Sequence, residues 1–139
     1  MTETVFVDTS ALYAMLDADD ANHAVAAVAW RELLDGIEGG ELAGLLHGSV
    51  VVEIAALVQR RLGMGALRVL IDDVLPILTT VWVDADVHVR ASTALLAAGR
   101  RDVSLTDWTS FAVMRDRLVE RAFAFDEDFT HQGSTPFGG

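Results

Sequence analysis

Two apolar segments of this chain stop abruptly at carboxylates. Val5-Phe6-Val7 has the side chains of a buried strand and is followed at once by Asp8 and two hydroxyl residues that suit a helix start. Near the other end, the apolar segment 122–125 is followed by Asp126. In open α/β sheets, ligands bind beyond the carboxyl ends of parallel strands. Both aspartates are therefore candidate site residues.

Length and composition predict one domain over residues 1–139. A chain of 139 residues that is 52% hydrophobic can bury one well-formed core and is too short for two. It has no cysteine, which excludes disulfides and thiolate metal sites. No apolar run approaches the roughly 18 residues needed to span a bilayer, and the N-terminus does not resemble a signal peptide. We therefore expect a cytoplasmic protein without membrane contact.

The charge balance is strongly acidic. The net charge is −11, from 21 acids against 10 bases, and every base is an arginine. A general nucleic-acid binder usually has the opposite balance, because phosphate contacts need cations. Solubility explains most of the acidity, but some carboxylates could be gathered at a cation site.

Strand and helix patterns alternate along the chain. This alternation predicts an α/β fold with a central parallel sheet covered on both faces. Gly36 is expected to end the second helix, Pro76 the fourth, and Trp82 to lie within a strand. The glycine-rich tail 132–139 is expected to be loosely held. The predicted strands are 5–7, 42–46, 77–83 and 122–125, and the predicted helices are 11–16, about 22–34, 50–62, 66–75, 84–98 and 104–118.

Two further acids lie on predicted helices. Glu53 is at the edge of an apolar helical arc, and the positions three and four residues away carry no base that could pair with it. Asp107 begins a stripe that continues through Phe111, Met114 and Leu118 at helical spacing. A simple helix-capping role for Asp107 explains its position equally well.

Four carboxylates without evident local cations could converge at one edge of the sheet. Like charges in a partly dry site repel strongly, so an uncompensated cluster would be costly. A hard divalent cation bound by oxygen atoms would relieve that cost. The absence of paired His and Cys ligands favours Mg²⁺ or Mn²⁺.

At these residues the chain resembles a PIN domain, and specifically the toxin ribonucleases of bacterial VapBC toxin–antitoxin pairs. Any one of the motifs is weak, but four in the expected order span nearly the whole chain. The matching segments are Val5-Phe6-Val7-Asp8-Thr9-Ser10-Ala11-Leu12, Ser49-Val50-Val51-Val52-Glu53, Ser104-Leu105-Thr106-Asp107 and Phe123-Ala124-Phe125-Asp126-Glu127-Asp128-Phe129.

The resemblance implies a PIN-like α/β/α sandwich and hydrolysis of RNA phosphodiester bonds by a water that Mg²⁺ or Mn²⁺ activates. It also implies a homodimer restrained by a cognate VapB-like antitoxin. The acidic positions of the family fall on Asp8, Glu53, Asp107 and Asp126. Direct metal ligation is implied for Asp8 and Asp107, and ligation through water for Glu53 and Asp126.

The resemblance also assigns supporting positions. Asp128 matches an occasional fifth acid, although a bystander role is an equal alternative. Thr9 and Ser10 match the small hydroxyl residues after the first aspartate, and Thr106 belongs to the third motif. Trp108 departs from the small residue usually found after the third acid, and could reshape the entrance to the site.

RNA contacts are less firmly indicated than the acids. Arg60, Arg61, Arg100 and Arg101 could contact phosphates, although solvated arginines are the more frequent case. Trp108 could contact a base, but Trp30, Trp82 and Trp108 are more readily explained as core or interface residues. The four histidines show no ligand spacing.

Two alternative functions use the same acids. A magnesium-dependent phosphotransfer domain is disfavoured, because a receiver domain needs a lysine and a dehalogenase-like nucleophile motif needs an acid where Ser10 stands. A non-catalytic protein-binding module on the same scaffold is disfavoured because all four principal acids are present.

Overall fold

Five parallel strands form one sheet in the order β3-β2-β1-β4-β5. The computed structural model describes residues 1–138. The central strand contributes three fully buried side chains, at Val5, Phe6 and Val7, because both of its edges are paired and both of its faces are covered. The strands are β1 (Glu3–Val7), β2 (Leu42–His47), β3 (Thr79–Val81), β4 (Arg121–Phe123) and β5 (Thr135–Pro136).

Helices flank the sheet, which confirms the predicted PIN-like α/β/α sandwich. None of the helices in residues 1–138 combines the length and apolarity needed to cross a membrane. The helices are α1 (Thr9–Leu16), α2 (His23–Glu38), α3 (Gly48–Leu62), α4 (Met64–Val69), α5 (Ala85–Ala98), α6 (Leu105–Asp116) and α7 (Asp128–His131).

Several helix ends follow directly from local chemistry. The Asp84 carboxylate accepts a hydrogen bond from the Val87 amide at the start of α5, and Gly99 ends that helix in the left-handed conformation. Gly63 ends α3 with a φ of 90°, which an L side chain adopts only with strain. These boundaries agree with the sequence prediction.

Two helix predictions in the first half of the chain were wrong. Gly36 lies inside α2, which continues to Glu38, and the close approach of the Leu42 side chain leaves no room for a methyl group at this position. The predicted helix 66–75 is instead α4, followed by a π-helical turn at Leu70–Val74 and a 3₁₀ turn at Leu75–Ile77 that contains Pro76.

The strand predicted at 77–83 is only three residues long. Its last pair joins Val81 to His47, and the partner strand then turns into α3 at Gly48. Because β2 has no further backbone groups with which β3 could pair, the chain leaves the sheet after Val81. Trp82 is therefore 69% exposed and not embedded in a strand.

The C-terminal part also differs from the prediction. The amide of Phe125 donates to the Ser10 hydroxyl instead of continuing the ladder, so β4 ends at Phe123. Leu118 lies beyond the end of α6 with a φ of 56° and is 87% exposed, so it does not extend the buried stripe. The tail is held by β5 and by the buried side chain of Phe137. Gly139 lies outside the described residues.

Candidate active site

Asp8 stands where β1 meets α1, at the carboxyl edge of the sheet. Its amide donates to the Phe123 carbonyl on the neighbouring strand at 3.0 Å, which fixes the backbone there. Its carboxylate Oδ2 accepts the Ser10 amide at 3.2 Å and the Ser10 hydroxyl at 2.7 Å, so Asp8 itself caps the helix. The Ser10 hydroxyl in turn accepts the Phe125 amide at 3.0 Å. Ser10 thus joins Asp8 to the segment that carries Asp126.

The Asp8 carboxyl group is electrostatically uncompensated. It is 5% exposed, and burial raises its pKa to about 6, while its hydrogen bonds with Ser10 lower the pKa and the nearby Asp107 charge raises it. Within residues 1–138, no basic side chain forms an ion pair with it. A buried acid of this kind is suited to binding a cation.

Asp107 lies in the first turn of α6 and forms a capping box with Ser104. The Ser104 amide donates to Oδ2 of Asp107 at 3.0 Å, and the Asp107 amide donates to the Ser104 hydroxyl at 3.1 Å. The helix cap is therefore Ser104, and Asp107 has a supporting part in the cap. Its negative charge raises the pKa values of both Asp8 and Asp126. The capping role is compatible with the predicted site role, which stays a prediction.

Asp126 follows β4 after two intervening residues. Burial raises its pKa, and the neighbouring acids Asp128 and Asp107 add to this effect, although the Asp128 amide donates to its Oδ1 at 2.9 Å. Asp128 differs from the other acids because it has a cationic neighbour: Nη1 of Arg100 lies 3.3 Å from its Oδ1, and Nδ1 of His131 lies 3.8 Å from the same oxygen. In this conformation Asp128 is an ion-pair partner of Arg100.

Glu53 occupies a different wall of the site. It is exposed on α3, and its charge is not among those that shift the pKa values of Asp8 and Asp126. It lines a cleft of about 450 Å³ between the start of α3, the segment after β3 and the start of α6. The lining residues are Gly48, Ser49, Val52, Glu53, Trp82, Val83 and Thr106.

The structure thus brings Asp107 within electrostatic range of both Asp8 and Asp126 and leaves Glu53 on the adjoining wall. In the part of the chain that the structure describes, no three acidic or imidazole side chains lie close enough to hold a metal ion between them. The donor chemistry nevertheless fits Mg²⁺ or Mn²⁺, since all four groups are carboxylates and none of them forms an ion pair within residues 1–138. The four-acid ligand set stays a prediction.

The supporting hydroxyl residues have different surroundings. Thr9 is buried, and its Oγ1 has no hydrogen-bond partner among residues 1–138. Thr106 lines the cleft, and its carbonyl accepts the Ser110 hydroxyl at 3.0 Å. Ser10 has the most hydrogen bonds of the three, because its hydroxyl donates to the Asp8 carboxylate and accepts the Phe125 amide.

The predicted RNA-contact residues are spread over the surface. Arg60 and Arg61 lie in the last turn of α3, where the Arg61 guanidinium stands 5.6 Å from the centre of the Tyr13 ring. Arg100 reaches the acidic cluster through Asp128, and Arg101 is exposed beside it. Their contacts with RNA stay predictions.

Trp108 is half-buried and packs edge-on against Phe111, with ring centres 5.3 Å apart. Its indole Nε1 is buried and has no hydrogen-bond partner in the part of the chain that the structure describes. It therefore shapes the interior beside Asp107 more than the surface.

Sequence reasoning missed two residues near the site. His47 is completely buried at the end of β2, where its Nε2 lies 2.8 Å from the Ser110 hydroxyl of α6. Burial lowers its pKa to about 4. Trp82 forms an exposed wall of the cleft. Their positions directly after apolar strand segments were the available signal, because side chains there face the carboxyl edge of the sheet.

Comparison with known proteins agrees with this arrangement. The model of the PIN domain family matches residues 5–133. The chain is 32% identical over 130 residues to the "23S rRNA-specific endonuclease VapC20" of Mycobacterium tuberculosis, in two strains, covering 93% of this chain and 94% of the relative.

Two solved structures share the fold. The crystal structure of Mycobacterium tuberculosis VapC20, described as a "Sarcin-Ricin loop cleaving toxin", superposes with a TM-score of 0.80 at 32% identity, covering 94% of this chain and 96% of that one. The FitAcB structure from Neisseria gonorrhoeae gives a TM-score of 0.64 at 16% identity and covers 96% of each chain, which supports the fold alone.

Proposed function

We propose, from the premise that this chain belongs to the PIN domain family as a VapC-like toxin endoribonuclease, that its RNA-cleaving centre is the carboxylate cluster Asp8, Asp107 and Asp126. The supporting observation is electrostatic. Two of these acids have raised pKa values, the charge of the third contributes to both shifts, and none of the three has a cationic partner in residues 1–138. Such a cluster favours a divalent cation, and the bound cation would then attract a phosphodiester that the carboxylates alone would repel.

VapC nucleases of the PIN domain family are metal-dependent in general. In this chain we assign Mg²⁺ or Mn²⁺ to Asp8 and Asp107, with Glu53 and Asp126 reaching it through water. Bound there, the cation would lower the pKa of a coordinated water and offset charge on the nonbridging phosphate oxygens.

The chain's own residues prepare this site. Ser10 holds the Asp8 carboxylate through two hydrogen bonds and ties it to the Asp126 segment. The Ser104 cap fixes the Asp107 carboxylate in the first turn of α6. Because these contacts exist before substrate arrives, little reorganisation is needed when the acids share a cation.

The proposed substrate is a structured RNA loop, similar to the one named for the VapC20 relative. The net charge of −11 leaves little general attraction to phosphates, so recognition must depend on local groups. Sequence-specific RNA recognition commonly reads unstacked bases in loops.

The test is cleavage of 23S rRNA, and of an isolated hairpin bearing its sarcin-ricin loop, by the purified full chain. We expect discrete cleavage in Mg²⁺ or Mn²⁺ and none in excess chelator. Asp8→Asn and Asp107→Asn should each reduce the rate by at least about a hundredfold with the fold retained. Asp19→Asn changes an exposed acid away from the cluster and is the matched control. Full activity in chelator would refute the metal mechanism.

We also propose a VapB-like antitoxin as partner, since VapC toxins pair with VapB antitoxins, and a homodimer as the resting assembly. Exposed apolar side chains, among them Val28 on α2 and Ile71 after α4, are available for such contacts. Sedimentation should show a dimer at micromolar concentration and a larger complex with the product of a neighbouring antitoxin gene. A strict monomer would contradict the dimer proposal.

A further inference from the structure

Trp82 presents a large aromatic surface at the mouth of the cleft. It is 69% exposed, while most other aromatic side chains of this chain are buried or partly buried in the core. It lines the same cleft as Glu53 and Thr106, the residue before Asp107. The exposed ring therefore lies in a cleft whose lining includes Thr106, one residue from the proposed site residue Asp107.

The indole is seated against the start of α3. A methyl group added at Gly48 would overlap Cε3 and Cζ3 of the Trp82 ring. Gly48 begins a helix, where glycine is less favourable than alanine, and its backbone does not need a positive φ. The close approach of the ring is the reason in this structure for a glycine at this position. A flat ring held on one side and exposed on the other is suited to stacking.

The sheet places this ring beside the acids. Phe6 pairs with Leu45, and His47 pairs with Val81, so the chain leaves β1 and β3 at nearly the same level of the sheet. These strands are separated by one strand, which corresponds to about 10 Å. An RNA strand whose phosphate lies at Asp8 can therefore bring a neighbouring nucleotide to the Trp82 ring.

The charges of the cleft indicate which part of that nucleotide it accepts. Glu53 is the one charged residue among those that line it, and it is negative. A phosphate would be repelled there, whereas a neutral base would gain contact with the indole, with Val52 and with the Ser49 and Thr106 hydroxyls. The cleft is therefore suited to a nucleobase and not to the phosphate backbone.

We infer that Trp82 is a substrate-binding residue on which a nucleobase beside the scissile phosphate stacks, with Gly48 as the glycine that the indole requires. This inference rests on the proposed RNA-cleaving function. Base–aromatic stacking contributes enough affinity to change binding by about tenfold per base.

The first experiment compares hairpin cleavage by the full-length wild type, Trp82→Ala, Trp82→Phe and Gly48→Ala. Trp82→Ala should raise KM about tenfold with a smaller change in kcat, and Trp82→Phe should stay within about threefold of wild type. Gly48→Ala should resemble Trp82→Ala, because it displaces the ring. Leu96→Ala, which changes an exposed apolar residue on α5, is the control and should behave as wild type. Thermal melting shows that each variant is folded.

The second experiment measures RNA binding without cleavage. In excess chelator, a short single-stranded RNA should quench tryptophan emission of the wild type, and Trp82→Phe should lose most of that quenching. If the wild type cleaves no RNA but this quenching is present, the proposed function fails and the stacking site stands.

Three results would overturn the inference. Trp82→Ala could bind and cleave RNA as the wild type does. Trp82→Phe could be as impaired as Trp82→Ala, which would exclude stacking as the cause. Finally, Trp82→Ala could leave RNA binding intact and disrupt the dimer or the antitoxin complex, which would make the ring a protein contact.

Discussion

At the scale of single residues, the site carries a cost to stability. The Asp8 carboxyl group is buried, its pKa is raised to about 6, and no cation pairs with it in residues 1–138. Its hydrogen bonds with Ser10 offset part of the burial cost but not all of it. A raised pKa in the folded state means that the ionised group destabilises the fold at neutral pH.

Asp8→Asn should therefore stabilise the metal-free protein while abolishing cleavage. Asparagine keeps the shape and the helix cap but removes the charge, so a gain on the order of 2 kcal/mol is expected at pH 7.5. The gain should shrink as pH falls from about 6 toward 4, because the folded wild type takes up a proton there and loses the penalty. Denaturant unfolding in chelator at several pH values measures this. A gain of equal size at pH 4 and pH 7.5 would show that burial of the charge is not its cause.

At the scale of secondary-structure elements, a buried contact joins β2 to α6. The Ser110 hydroxyl donates to the Thr106 carbonyl in the turn that carries Asp107, so it accepts from Nε2–H of His47 at the end of β2. Within residues 1–138 the Nδ1 atom of His47 has no hydrogen-bond partner, which agrees with a neutral ring whose pKa burial lowers to about 4. Because unfolded histidine titrates near 6.5, this residue removes stability as pH falls from 6.5 to 4, opposite in sign to Asp8.

Ser110→Ala should destabilise the protein by about 1–3 kcal/mol, because it leaves a buried imidazole nitrogen unpaired. Ser92→Ala is the matched control: Ser92 also donates to the carbonyl four residues earlier, on the exposed surface of α5, and its loss should cost less than about 0.5 kcal/mol. Chemical denaturation of both variants measures the difference. Equal effects would mean that the contact with His47 does not stabilise the position of α6.

At the scale of the whole molecule, the acidic net charge limits the electrostatic attraction between the protein and RNA. Of the ten arginines, Arg90, Arg100 and Arg121 already pair with acids of the chain. The other seven form no ion pair within residues 1–138, but the 21 acids outnumber all ten arginines, so general electrostatic attraction to phosphates is weak.

RNA binding by the inactive Asp8→Asn variant should depend only mildly on salt. Between about 50 and 200 mM salt, the slope of log K against log salt should be on the order of −1 to −2, equivalent to two or three phosphate contacts. If Arg101 makes one of these contacts, Arg101→Ala should reduce the slope by about 0.7. A slope several times steeper would contradict recognition by a few local groups.

The sequence determined the parts of this protein that depend on neighbours along the chain. The apolar run that ends at Asp8 could be recognised directly, because burial patterns are local. The same holds for the position of Asp107 in the first turn of α6, because helix caps are local too. The same local rules gave the ends of α3 and α5 at Gly63 and Gly99. The order of these elements was sufficient to predict the parallel sheet and its acidic edge.

Only the tertiary structure decided which residues share a surface. Trp82 is exposed because its strand loses its partner where β2 becomes α3, and position 36 has no room for a side chain because Leu42, from the next strand, packs against it. The position of Glu53 on the cleft wall and the ion pair between Asp128 and Arg100 both depend on contacts between segments that are far apart in the sequence. Strand pairing and side-chain contact between remote parts of the chain leave no periodic signal, so local patterns could not reveal them.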